Sequence, residues 1–96
     1  MGSLTENQIK NELITLEGWT FSDDKIHREF SFNDFKTALS FIVRIGFEAE
    51  GQNHHPELFN VYNTVSISLS THDAGGKVTE KDIKLAKAVD AIYKTF

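Results

Sequence analysis

The sequence predicts one α+β domain, because patterns typical of helices and of strands follow one another in the order α-β-β-α-β-β-α. Three segments space their apolar residues as one face of a helix does. Two pairs of segments alternate apolar and polar residues around short polar turns, as β-hairpins do. A chain of 96 residues suits a single compact core. We therefore assign residues 1–96 to one domain.

The first and third predicted helices follow polar residues or a polar loop. The first covers residues 4–16, with Ser3 or Thr5 as its N-cap, and ends at Gly18. The third follows a glycine-rich loop and covers residues 79–96. Each has an apolar face of the kind that packs against a core.

The second predicted helix is apolar around most of its circumference. It begins at Asn33 or Asp34, either of which can cap it, and continues to about Glu50. Its apolar arc is wider than contact with one sheet face requires. This excess is consistent with a subunit interface, and equally with a helix that the rest of the domain covers deeply.

Two hairpins account for the four predicted strands. The predicted strands are 19–22, 26–30, 58–62 and 65–69. The polar turns are Asp23-Asp24-Lys25 and Asn63-Thr64. In the last strand the apolar residues share one face and the serines share the other. If this extended conformation continues, His72 points to the same side as the serines.

The composition argues against several classes of function. The net charge is −4 and the pI is about 5.5, with no basic stripe, which argues against direct binding of nucleic acid. No cysteine is present, as is common in reducing compartments. No apolar run is long enough to span a bilayer, and the first residues lack the blocks of a signal peptide. We therefore expect a cytoplasmic protein with no membrane partner.

Three of the four histidines occur in two polar clusters. One cluster is Glu50-Gly-Gln-Asn-His54-His55-Pro56, and the other is Ser70-Thr71-His72-Asp73. Imidazole exchanges protons near neutral pH, so these rings are candidates for general acid and base catalysis. The fourth, His27, falls on the polar side of a strand, where a solvated position is expected.

The histidine clusters are also compatible with a rigid turn or with a metal site. His55 before Pro56 is typical of a rigid turn with an exposed ring. A metal site would combine the three histidines with Glu50 or Asp82. Adjacent residues seldom direct both rings at one ion, and no His-x-x-x-His spacing is present. The sequence therefore favours proton transfer and predicts no metal.

Two acidic residues interrupt apolar helix faces, which is costly unless each carboxylate has a partner. They are Glu50, near the end of the second helix, and Asp82, at the start of the third. The segment Thr79-Glu80-Lys81-Asp82 resembles a capping box, so Asp82 can be a helix cap alone, and Glu50 can lie in a frayed, solvated end. The functional alternative is that each acid orients a histidine ring and fixes its tautomer.

These residues together resemble the signature of the pterin-4a-carbinolamine dehydratase family. The similarity is carried by Glu50-x3-His54-His55-Pro56-x5-Tyr62-x9-His72, followed by Asp82. It extends over most of the chain and includes Gly18-Trp19 and the run of residues 54–63. One local departure is the Gly75-Gly76 loop, which is slightly longer than in vertebrate members.

The resemblance implies a hydro-lyase that removes water from 4a-hydroxytetrahydrobiopterin and gives quinonoid dihydropterin in tetrahydrobiopterin recycling. It implies that His54 and His72 share the general acid and base work and that His55 holds the pterin, with these roles open to exchange. No cofactor is implied, since the tetrahydropterin derivative is itself the substrate. The implied substrate-binding residues are Asn53, His54, His55, Ser70, Thr71, His72 and Asp73, and the implied supporting residues are Glu50, Pro56, Asp82 and Trp19.

The resemblance also implies an architecture and partners. The fold would be a four-stranded antiparallel sheet with helices packed on one face. Members form homodimers and, in animals, homotetramers, which would explain the wide apolar arc of the second helix. Animal members are also dimerisation cofactors of a homeodomain transcription factor. A helical binding module that acts as a transcriptional coactivator is therefore the alternative function, with the nucleus as a second location.

Overall fold

A computed structural model describes residues 2–96 and contains the predicted elements in the predicted order. The helices are α1 (Glu6–Leu13), α2 (Phe35–Gln52) and α3 (Glu80–Tyr93). The strands are β1 (Thr20–Ser22), β2 (Lys25–Ser31), β3 (Glu57–Val61) and β4 (Thr64–Leu69), and a 3-10 turn at His72–Ala74 follows β4. The α+β class and the element order are confirmed. In this part of the chain, no helix is long and apolar enough to cross a bilayer.

The four strands form one antiparallel sheet in the order β1-β2-β4-β3. Each hairpin pairs its own two strands, and the hairpins meet along β2 and β4. There Ile26 lies opposite Leu69 and Phe30 lies opposite Val65. This arrangement leaves β1 and β3 as the edge strands.

One face of the sheet is covered by the helices and the other is open. Along β4, Val65, Ile67 and Leu69 are fully buried, whereas Ser66 and Ser68 remain partly exposed. Alternation of this kind is typical of an antiparallel sheet with one face against the core. The predicted packing of the helices on one face is therefore confirmed.

An aromatic cluster joins α2 and α3 to the covered face. The ring centroid of Phe30 in β2 lies 5.1 Å from that of Phe41 in α2 and 4.8 Å from that of Tyr93 in α3. These separations are within the range of favourable tilted and edge-on contacts between aromatic rings. The contacts fix both long helices against the sheet whose far end carries the histidines.

Both α1 and α3 end earlier than predicted, because their last turns tighten. Thr5 caps α1 as predicted, in a capping box with Gln8. Beyond Leu13 the backbone continues with i→i−3 hydrogen bonds, and this turn carries Leu16 into the core. After Tyr93, Lys94 and Thr95 also form a turn rather than a further α-helical segment.

Both hairpin turns are two residues long and differ slightly from the prediction. Asp23 and Asp24 have positive φ values of 52° and 61° and form the first turn, so Lys25 belongs to β2. The second turn lies one residue earlier than predicted, at Tyr62-Asn63. Asn63 is held there by Phe32, whose carbonyl accepts from Asn63 Nδ2 at 2.9 Å.

Candidate active site

The end of α2 brings two histidines to one corner of the domain. Asn53 ends the helix in the left-handed conformation (φ 51°, ψ 42°), which asparagine adopts more readily than most residues. The His54 N–H then donates to the carbonyl of Ala49 at 3.1 Å, so this carbonyl in the last turn of α2 has a hydrogen-bond partner. His55 and Pro56 follow and lead directly into β3. Helix capping thus fixes the backbone that carries both rings.

His54 is buried, and Asp82 holds its ring. His54 Nε2 lies 2.5 Å from Asp82 Oδ1, with the two side chains 9% and 0% exposed. An ionised carboxylate can only accept a hydrogen bond, so we assign the proton in this contact to Nε2. The contact fixes the tautomer of the neutral ring and leaves Nδ1 for another partner.

Asp82 also caps the N-terminus of α3, so one carboxylate both stabilises the start of a helix and orients a histidine ring. Its Oδ2 accepts the backbone N–H of Thr79 at 2.8 Å, within a capping box. The same oxygen accepts the Thr71 hydroxyl at 2.9 Å. With His54 on the other oxygen, both oxygens of this buried carboxylate are hydrogen-bonded, as a buried charge requires.

His55 has an acidic partner as well, but this pair is open to solvent. His55 Nε2 lies 2.8 Å from Glu50 Oε1, and the side chains are 64% and 78% exposed. An exposed pair of this kind contributes at most about 1 kcal/mol to stability. Glu50 lies within α2, which continues to Gln52 rather than fraying at the acid.

His72 reaches the same corner from the turn after β4. The strand ends before His72, so the strand alternation does not extend to this ring. The Thr71 N–H donates to the carbonyl of Lys77 at 2.8 Å and closes the intervening loop. Gly75 and Gly76 complete the loop with φ values of 74° and 77°, which favour glycine. His72 lies exposed in the 3-10 turn.

A polar depression of about 280 Å³ is lined by all three of these histidines. Two segments that are distant in the sequence, 53–55 and 70–73, meet there. The lining contains every residue predicted to bind substrate and adds Lys81, as follows: Asn53, His54, His55, Ser70, Thr71, His72, Asp73 and Lys81. The functions assigned to these residues stay predictions, but their convergence on one depression is an observation.

The four residues predicted to support the site occupy different positions. Asp82 and Glu50 each contact a histidine of the depression, and Pro56 connects the depression to β3. Trp19 does not line it. The Trp19 Nε1 donates to Asp90 at 2.9 Å, and its ring packs edge-on in the core. The position of Trp19 indicates a role in packing.

The family model of pterin 4 alpha carbinolamine dehydratase matches residues 2–92. The chain belongs to this family. A provisionally named pterin-4-alpha-carbinolamine dehydratase of Christiangramia forsetii is 50% identical over 95 residues, which are 99% of this chain and 97% of the relative. Another from Aquifex aeolicus is 46% identical over 91 residues, with 95% and 91% covered.

A solved structure agrees with this family assignment. The crystal structure of a transcriptional coactivator/pterin dehydratase from Brucella melitensis matches with a TM-score of 0.91 and 42% identity, over 96% of this chain and 99% of that one. A pterin dehydratase-like protein described as a RuBisCO assembly factor of the alpha-carboxysome matches with a TM-score of 0.64 over 78% and 86%. It is 18% identical, so this second match supports the fold alone.

A larger depression lies elsewhere on this member of the family. It has about 760 Å³ and lies between the turn after α1 and α3, next to Arg28. Arg28 Nη1 donates to Asp90 at 2.9 Å, and its guanidinium lies 4.5 Å from the centroid of the Phe30 ring. These charges are already engaged in the fold. We place the candidate active site in the smaller depression because that one contains the proton-transferring groups.

His27 links strands on the open face of the sheet. Its Nε2 lies 3.0 Å from the carbonyl of Ser22, and its Nδ1 lies 2.7 Å from the hydroxyl of Ser68. A carbonyl only accepts, so Nε2 donates to it, and in the neutral ring Nδ1 then accepts from the Ser68 hydroxyl. The ring lies on the polar side of β2 as predicted, but it is partly buried rather than fully solvated.

The histidines are not arranged around one ion. Among residues 2–96, no three His, Cys, Asp or Glu side chains form a group that could hold a metal. The adjacent rings of His54 and His55 instead contact different carboxylates, those of Asp82 and Glu50. A zinc site needs three or four ligands that converge on one point.

Lys81 is the lining residue that the sequence pattern does not identify. It lies in the first turn of α3, inside the capping box that ends at Asp82. The sequence shows this capping box, and it marks Asp82 as a candidate partner of a histidine. A carboxylate that fills both roles at once must bring the first turn of α3 beside the histidines. That combination is the signal that could have identified Lys81.

Proposed function

We propose that this protein is a dehydratase that removes water from a 4a-hydroxytetrahydropterin and gives quinonoid dihydropterin. The family assignment supports a pterin substrate. The observation that carries the proposal is the convergence of three imidazoles from two distant segments on one depression. Imidazole is the side chain best suited to give and take protons near neutral pH.

The reaction needs two proton transfers at neighbouring positions of the pterin. The hydroxyl group on C4a must gain a proton to leave as water. A proton must be lost from the pterin as the new C=N bond forms. No electron is transferred overall, so the proposed mechanism requires no redox cofactor.

His54 and His72 divide this work in our proposal. Asp82 holds Nε2 of His54, so Nδ1 is the atom through which this ring exchanges a proton with the substrate. His72 is exposed at the opposite segment of the lining and exchanges the second proton. His55 binds the pterin between them. General acid and base catalysis by one positioned group contributes about 10²- to 10⁴-fold to a rate.

Substitution of the two proton-transferring histidines tests the proposal. The change is His54→Ala combined with His72→Ala, and stopped-flow absorbance of freshly generated 4a-hydroxytetrahydropterin is the assay. We expect catalysed dehydration to fall by at least about 10⁴-fold, because both proton transfers are lost. His27→Gln is the matched control, since this histidine lies outside the depression, and it keeps the activity. Full activity in the double variant would contradict the proposal, as would chelator-sensitive activity with stoichiometric zinc.

We also propose that a second copy of the chain covers α2. Four apolar residues recur at every fourth position on its outer face, between 45% and 76% exposed, namely Phe35, Leu39, Val43 and Phe47. A continuous apolar stripe of this kind on a small domain is typical of a protein interface. The edge strand β3, which follows α2 in the chain, also carries exposed apolar side chains, namely Leu58, Phe59 and Val61.

Oligomeric state is tested with a matched pair of substitutions. Phe47 in the stripe and Ile14 after α1 are 76% and 77% exposed, so each accepts a charge without burying it. We expect light scattering to give a dimer or tetramer for the wild type and for Ile14→Glu. Phe47→Glu should give a smaller species. A monomeric wild type, or an unchanged Phe47→Glu oligomer, would contradict this interface.

The alternative function is that of a coactivator that binds a helix of a transcription factor. One observation favours it, namely that the apolar stripe of α2 offers a surface for an amphipathic helix. In that case Phe47→Glu abolishes partner binding, and the His54→Ala, His72→Ala double variant retains it. The two functions are therefore separable by variants already described.

A further inference from the structure

Lys81 is a cation at the candidate active site with no acidic partner among residues 2–96. It is partly buried in the first turn of α3 and lines the depression with the three histidines. The ion pairs formed within the described chain involve Lys25, Lys77 and Lys87 among the lysines, but not Lys81. The ammonium of Lys81 is therefore available to a ligand.

The neighbouring carboxylates do not neutralise this charge. Asp73 lines the same depression but forms no ion pair with Lys81. Asp82 follows Lys81 in the chain, but its two oxygens are occupied by His54, Thr71 and Thr79. The depression thus presents one available cation and one available anion together.

A partly buried lysine without an ion-pair partner favours a ligand with a hydrogen-bond acceptor. Removing a charged group from water costs free energy that a new hydrogen bond can recover. Lysine donates three hydrogen bonds and accepts none, so the matching ligand atom must be an acceptor such as a carbonyl oxygen. An ionised Asp73 only accepts hydrogen bonds, so the ligand edge that matches it carries N–H donors.

The pyrimidinone ring of a pterin has both features side by side. Its 4-oxo oxygen accepts, and its N3–H and 2-amino groups donate. We propose that Lys81 donates a hydrogen bond to the 4-oxo oxygen, while Asp73 accepts from the N3–H and 2-amino edge. This inference rests on the proposed function, and it adds a specificity-determining residue to it.

The proposed contact orients the reacting carbon. C4a is bonded directly to the carbon that carries the 4-oxo group. An ammonium fixed at that oxygen therefore fixes the position of C4a relative to the imidazoles of His54 and His72. Positioning of this kind contributes to catalysis because the reacting groups no longer have to find each other by diffusion.

Binding of two related ligands tests the inference. The ligands are 7,8-dihydropterin and 2-amino-7,8-dihydropteridine, which lacks the 4-oxo group, and isothermal titration calorimetry measures their affinities. We expect Lys81→Gln to weaken binding of 7,8-dihydropterin by about 10- to 100-fold, the range for a hydrogen bond to a charged group. Lys81→Gln and the wild type should bind the 4-deoxo ligand equally. Lys81→Arg should restore part of the affinity for 7,8-dihydropterin.

Lys84→Gln is the matched control. Lys84 lies one turn further along α3, is exposed and does not line the depression, so its substitution should leave both affinities unchanged. Equal weakening by Lys84→Gln, equal weakening of both ligands by Lys81→Gln, or unchanged affinity in Lys81→Gln would overturn the inference. A wild type that neither binds 7,8-dihydropterin nor dehydrates the carbinolamine would instead overturn the proposed function. The two failures are therefore distinguishable.

Discussion

Replacing Asp82 with asparagine should separate the two roles of this carboxylate, because an amide has only one accepting oxygen. Two donors, the Thr79 N–H and the Thr71 hydroxyl, converge on Oδ2, whereas only His54 contacts Oδ1. The amide oxygen of the variant should therefore take the position of Oδ2 and preserve the cap of α3. Its NH₂ group then faces His54 and forces the ring into the opposite tautomer.

The expected loss of stability is small and the expected loss of activity is large. Exchanging charge-assisted hydrogen bonds for neutral ones costs about 1 kcal/mol. In a domain of this size that lowers the melting temperature by about 4–8 °C. The tautomer change leaves a proton on Nδ1, the atom that must exchange a proton with the substrate. We therefore expect kcat to fall by about 10²-fold or more.

Thr79→Ala is the control for stability alone. It removes the hydroxyl that caps α3 and that lies 2.6 Å from the Thr71 hydroxyl, and the loss of both contacts costs about 1–2 kcal/mol, but it leaves the contact between Asp82 and His54 in place. Stopped-flow dehydration and thermal unfolding should be measured on both variants. We expect the two variants to have similar melting temperatures, and we expect a loss of kcat only in Asp82→Asn. Wild-type kcat in Asp82→Asn, or an equal loss in Thr79→Ala, would refute the orienting role.

Two further predictions concern pH. Because one imidazole must be charged and another neutral, kcat/KM should follow a bell-shaped profile between about pH 5 and 9, and a flat profile would count against the paired roles. Hydrogen bonds from Thr37 lower the pKa of Asp34, the N-cap of α2. The bond from the Thr37 side chain has the larger effect, and the bond from its backbone has the smaller one. Because the pKa of Asp34 is lower in the folded state, this carboxylate stabilises the fold at pH values above its unfolded-state pKa. The stabilisation is lost as the pH falls through the folded-state pKa. The melting temperature of Asp34→Ala should therefore lie below the wild type at pH 7, and this gap should narrow in acid; a gap that is constant from pH 7 to pH 2 would contradict the assignment.

Elements with strong local signals could be predicted from the sequence. Thr5 and Thr79 follow the capping rules and both cap helices in the structure. The alternation of β4 identifies its buried face because a strand has only two faces. The boundaries were less predictable. Leu16 has the right spacing for α1, but it reaches the core through a tighter turn that spacing cannot distinguish from an α-helix.

The candidate site was predictable as a set of residues but not as a geometry. The histidine clusters could be recognised from residue type, and the family signature placed both in one site. Which acid binds which ring depends on the tertiary fold, which brings α3 against the end of α2. From the sequence, helix capping and ring orientation are alternative roles for Asp82. In the structure Asp82 has both roles, because one carboxylate oxygen caps the helix and the other contacts His54. Lys81 could be identified from the sequence only by assigning both roles to Asp82 at once, because no residue pattern by itself marks a lysine without an acidic partner.

The most direct test of the central claim is NMR of the histidine rings during titration with 7,8-dihydropterin. Two-bond ¹H–¹⁵N spectra identify the protonated nitrogen of each ring. We predict that free His54 carries its proton on Nε2, and that the ligand shifts the signals of His54, His55 and His72 while those of His27 stay unchanged. Unchanged signals from the three rings, or shifts confined to His27, would contradict a shared pterin site.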